Sequence, residues 1–106
     1  MEYTLVQKNQ ALVAYMGGPS FLKNLLRNQK PEEEILLMGP EELQFHSSWD
    51  WIMPVWGKAN KALMEAGSAS TIYAMSKAID NVDIEAFHKL LSAHCIIWCK
   101  NKQIKL

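Results

Sequence analysis

His46, Asp50 and Trp51 fall within one short stretch, FHSSWDWIMPVW from Phe45 to Trp56, where a polar turn gives way to an apolar run. An imidazole ahead of a helix cap, a carboxylate in the first turn and an indole off the main apolar stripe would line one rim. That rim lies beside the free backbone N–H groups of a helix start. Anion-binding donors would then adjoin a stacking surface, the chemistry of a site for a nucleobase, a nucleotide or a partner's aromatic ring. Capping and packing explain the same residues without a ligand. With Ser47 as N-cap, Asp50 stands at the third helical position, as in a capping box. Arg27 and Tyr73 are the next candidates for ligand contacts.

The remaining constellations are weaker. His88, Cys95 and Cys99 share one helix at spacings of seven and four, and His46 could complete a zinc set. No paired Cys-x-x-Cys knuckle accompanies them, and buried thiols beside a helix-edge histidine are the simpler reading. A disulfide one turn apart on a helix has poor geometry, so reduced thiols are expected. A Cys–His nucleophile lacks an activating helix N-terminus, because both thiols come late in the helix. Glu32, Glu33, Glu34, Glu41 and Glu42 read as solvated helix starts. The Gly17–Gly18 pair precedes Pro19 and lacks the strand and lysine of a phosphate loop. No cofactor and no bound metal are expected.

These residues must be held by helices. Leu5, Leu12, Val13 and Met16 recur at helical spacing until Gly17, Gly18 and Pro19. Ser20 can cap a short second helix with Phe21, Leu22, Leu25 and Leu26 on one side, ending near Asn28. Residues 31–38, PEEEILLM, fit a helix or a short strand. A central helix starts at Ser47 or Ser48 and stops at Gly67. Trp49, Ile52, Met53, Trp56 and Leu63 form its core stripe, while Trp51, Val55 and Ala62 lie out of phase on a second apolar face. Pro54 predicts a bend or a reset there. A segment spaced by Ile72, Met75, Ile79 and Val82 follows, and a last helix capped by Asp83 carries Phe87, Leu90, Leu91, His94, Ile97 and Trp98 up to about Asn101. The fold class is mainly α, a single small domain over residues 1–106 with four to five helices. A short strand pair at Ile35 to Met38 and the final QIKL is the α+β alternative.

Composition narrows the function classes. Of the 106 residues, 49% are hydrophobic and 21% charged, which suits a folded domain. Eleven basic side chains balance eleven acidic ones, so global charge steers the chain to neither nucleic acid nor an anionic membrane. The low net charge, together with an exposed strip of Trp51, Val55 and Tyr73, predicts a homo-oligomer. With no basic leader and no apolar run of membrane-spanning length, a cytoplasmic location is expected.

The run FHSSWDWIMPVWGKANKAL resembles the HSSWDWLMPVVEKIE motif of a group of small proteins from Bacteroidetes genomes and their phages. DIEAFHKLLSAHCIIWCKN is similar to that group's C-terminal IEAVYKAVVEFIKWYN, with Trp98 at the matching tryptophan. About half of the chain is covered. Between the two motifs the group has a hairpin-like stretch, where this chain has GSASTIYAMSKAIDN. The resemblance implies a phage or mobile-element origin and no catalytic residues. It leads to the expectation of a non-enzymatic protein that sequesters or blocks a host component, by sponging a nucleotide messenger or by inhibiting a defence protein. A small hydrolase or metal-dependent enzyme built on His46, Asp50 and His88 is the alternative.

Overall fold

The computed structural model describes residues 2–106. Six helices follow one another: α1 (Leu5–Tyr15), α2 (Pro19–Leu26), α3 (Glu32–Leu36), α4 (Trp49–Glu65), α5 (Ala69–Asp80) and α6 (Ile84–Asn101), with a 3-10 turn at Pro40–Glu42 between α3 and α4. No strand forms among the described residues, so both places considered for one are settled. Residues 32–36 are helical, with three glutamates in a first turn whose dipole favours them. The final residues continue from the end of α6 without pairing.

Local chemistry explains the boundaries. Thr4 caps α1 in a reciprocal box: its hydroxyl accepts from Gln7 N at 3.1 Å, and its own N–H donates to the Gln7 amide oxygen at 2.9 Å. Pro19 opens α2 at its first position, so Ser20 is not the cap. Asp83 caps α6 as expected, accepting from Ala86 N at 3.1 Å. Four helices end with the same closure. The second N–H beyond the cap reaches back five residues, Gly18 to Val13, Ser68 to Leu63, Asp83 to Ala78 and Ile104 to Cys99, each at 2.9 Å. This closure needs a left-handed residue, supplied by Gly17 and Gly67, but also by Val82 at φ 52° and Gln103 at φ 59°. Val82 is β-branched, and the left-handed region is costly for it.

The central helix corrects three expectations. Its N-cap is Ser48, which makes no side-chain cap bond, and the Ser47–Asp50 capping box does not form. Trp51 N and Ile52 N are satisfied instead by the Ser48 carbonyl, each at 3.2 Å. Helix α4 runs through Pro54 without interruption, so the proline does not reset it. Its buried face is Trp51, Ile52, Val55, Ala59 and Leu63. Trp51 is 5% exposed, and Phe45 meets it edge-on at 5.2 Å between ring centroids. The stripe assigned to Trp49, Met53 and Trp56 lies at the margin instead. Trp49 stacks on Phe87 at 5.6 Å, Trp56 meets that ring edge-on at 5.7 Å, and Met53 is exposed. The cause is the segment before α4, whose Leu43 and Phe45 fold into the core and cover the face that looked spare.

The strip of Trp51, Val55 and Tyr73 therefore does not exist, because Trp51 and Val55 are buried and only Tyr73 is at the surface. The argument for self-association drawn from it lapses. Helices α1 and α6, at the two ends of the helical series, pack against each other most extensively. Phe87, Leu91, Cys95 and Cys99 of α6 join Ala11, Leu12 and Tyr15 of α1 and the buried face of α4 in one continuous core. On α6, Ile97 of the expected stripe is exposed, while His88 and Ser92, which lie outside that stripe, are buried. No helix is long and apolar enough to cross a membrane among the described residues.

Candidate functional site

Three polar side chains from distant parts of the chain meet where α1, the segment before α4 and the start of α6 converge. Asn9 of α1 is 2% exposed, His88 of α6 is 5% exposed, and His46 is half-buried between them. The Asn9 amide nitrogen donates to the Leu43 carbonyl at 3.3 Å and lies 3.1 Å from His46 Nδ1. Its oxygen is 2.8 Å from His88 Nε2. The two imidazoles face each other edge-on, 6.1 Å between centroids.

Hydrogen-bond logic fixes the protons. A backbone carbonyl only accepts, so the Asn9 NH2 group must point at Leu43 and its oxygen at His88. The second amide hydrogen then goes to His46 Nδ1, which accepts as a bare lone pair. His46 in its neutral form carries its proton on Nε2. His88 donates Nε2–H to Asn9 and keeps a bare Nδ1. A single amide thus selects Nε2–H on both rings. Protonating His46 on Nδ1 would set two donors against each other. Burial, with lesser contributions from His46 and Lys8, lowers the pKa of His88 from 6.5 to about 4.

Above these rings lies an open cleft of about 650 Å³, within the size range of small-ligand sites. His46 and His88 line it together with Lys8, Lys89, Glu85 and Ser47, and Leu5 and Ile84 supply apolar wall. Two ammonium groups and an imidazole N–H suit an anion, the flanking aliphatic groups suit a ring, and Glu85 can accept from amino or hydroxyl groups.

No family model, curated protein or solved structure matches this chain. Its chemistry is therefore read from the cleft alone.

Of the residues singled out from the sequence, only His46 and His88 come together. Asp50 is exposed in the first turn of α4 and does not line the cleft. Trp51 is part of the core and offers no stacking face. Tyr73 stands exposed on α5, and Arg27 borders a separate small cavity with Lys23, Lys30 and Glu32. The rim of His46, Asp50 and Trp51 is thus not assembled. The zinc set does not assemble either. His88 spends Nε2 on Asn9, the Cys99 thiol points at the Ala11 carbonyl at 3.9 Å, and burial pushes the Cys95 and Cys99 thiols up in pKa. Among the described residues no group of three His, Cys, Asp or Glu side chains is placed to hold a metal.

Asn9, Lys8 and Lys89 were missed. Asn9 had one legible signal: it stands four after Leu5 and three before Leu12, in the register of a buried helix face. A polar side chain in that register asks for a buried partner.

Proposed function

We propose that the protein is a non-enzymatic binding module that captures a small anionic ligand of the nucleotide class in the cleft over His46 and His88. The observation that supports this reading is the Asn9 lock. The amide fixes which nitrogen of each imidazole is engaged, so both rings are oriented in a cleft that Lys8 and Lys89 also line. General acid–base catalysis needs a ring that gains and loses a proton near the working pH. Here the Asn9 amide occupies His46 Nδ1, and burial lowers the pKa of His88 to about 4. Preorganised polar groups instead favour recognition, because little ordering cost remains for the ligand to meet. In the setting implied by the sequence resemblance, capture alone suffices: a phage-type protein that withdraws a host nucleotide blunts whatever that nucleotide signals.

Calorimetric titration with a panel of nucleoside mono- and diphosphates and inorganic phosphate tests the proposal. Binding should be saturable, the ligand should be recovered chemically unchanged after denaturation, and Lys8→Ala combined with Lys89→Ala should weaken it at least tenfold. No binding across the panel, or conversion of the ligand, overturns it.

A further inference from the structure

The His46–His88 cleft does not end at its two lysines. Lys8 and Lys89 also line a second cavity of about 360 Å³, on the side of α6 that runs toward Lys100. The two hollows share those two side chains and no others. Each then has its own set. The first holds Glu85 with Leu5 and Ile84, and the second holds Glu2 with Tyr3, Ile96 and Ile97. Tyr3 is half-buried and carries the Lys100 ammonium over its ring at 5.3 Å, so its position is held by contacts with its own chain.

We infer that the ligand is a dinucleotide, two nucleosides joined through phosphate, with the linking phosphate between Lys8 and Lys89 and one nucleoside in each hollow. This rests on the binding reading above and extends it. The charge pattern suits such a ligand at its centre, and the second hollow adds the Lys100 ammonium beside its carboxylate. Positive charge is shared at the centre, where a phosphodiester or pyrophosphate is negative. Each hollow adds one carboxylate, which accepts from ribose hydroxyls or exocyclic amino groups, and aliphatic surface for a ring. Tyr3 gives the second hollow an aromatic face on which a base stacks. A mononucleotide fills the first hollow and leaves the second to water.

Titration of the full chain with adenosine monophosphate and with a phosphodiester-linked adenosine dinucleotide tests this directly. The dinucleotide should bind at least tenfold more tightly. Tyr3→Ala should weaken dinucleotide binding by roughly 5- to 150-fold, the worth of one stacked base, and leave the mononucleotide unchanged. Lys100→Glu provides a second, surface variant with the same selective effect, should Tyr3→Ala fold poorly. Equal affinity for the two ligands, or parallel losses for both in the variants, overturns the two-hollow inference and leaves the single-cleft reading intact. Failure of both ligands to bind overturns both.

Discussion

Replacing Asn9 with alanine removes the group that joins α1, the segment before α4 and α6. It deletes contacts to the Leu43 carbonyl, His46 Nδ1 and His88 Nε2, at 3.3, 3.1 and 2.8 Å. A net contribution of about 1 kcal/mol per bond gives about 3 kcal/mol. Water entering from the cleft can re-satisfy the half-buried His46, but Leu43 is buried and its carbonyl keeps its desolvation penalty. The expected loss is therefore about 2 to 4 kcal/mol, a large share of the stability of an ordinary domain. Urea denaturation followed by circular dichroism should show the midpoint falling by about 1 to 2 M at an unchanged slope. Nitrogen-15 NMR of the imidazoles should find both His46 and His88 as Nε2–H tautomers in the parent, and at least one ring should lose that preference in the variant. A loss below about 0.5 kcal/mol with tautomers unchanged would refute the lock and the site built on it.

Trp51→Ala should cost about 3 to 5 kcal/mol and Trp49→Ala clearly less, reversing the order expected from the helical stripe, because Trp51 is 5% exposed while Trp49 is half-buried; thermal melts of the pair check this. Stability should fall as the pH drops from about 6.5 to about 4, since the unfolded chain takes up a proton in that window that folded His88 refuses. That gap amounts to at most about 3 kcal/mol, and about half of it once solvent entering the cleft is counted. Denaturation midpoints across that range should flatten in His88→Gln relative to the parent. Val82→Gly should leave stability unchanged or raise it by about 1 kcal/mol, because φ 52° strains valine and suits glycine; a lower melting temperature would contradict this.

Much of the helical scaffold could be read directly. Asp83 announced α6, the Gly17–Gly18–Pro19 run ended α1, and Gly67 ended α4, because caps and left-handed stops are local chemistry. The phase of α4 could not be read. Both of its faces carry apolar residues in sequence, and the choice between them is made by Leu43 and Phe45, which lie outside the helix and follow no period. Large side chains drew attention to Trp49 and Trp56, whereas the true stripe includes Ala59, small and fully buried. The site was half legible. The histidines stood out by type, but their partner Asn9 is 37 and 79 positions away and sits in a polar stretch, QKNQ, that reads as solvent-facing.

The pairing of α1 with α6 also bears on how the molecule forms. Asn9 meets His88, and Tyr15 meets His94, each across 79 positions, so the entropy of closing a very long loop must be met before either contact is made. Helical domains with mostly local contacts fold quickly, and distant pairings slow them. Until that closure the cleft has only one of its histidines and one of its lysines on each side of the gap. On the binding reading proposed above, recognition would wait on folding: an intermediate lacking α6 would have no complete cleft, and a ligand present at a hundred times its dissociation constant would add about 2.7 kcal/mol to the closed state alone.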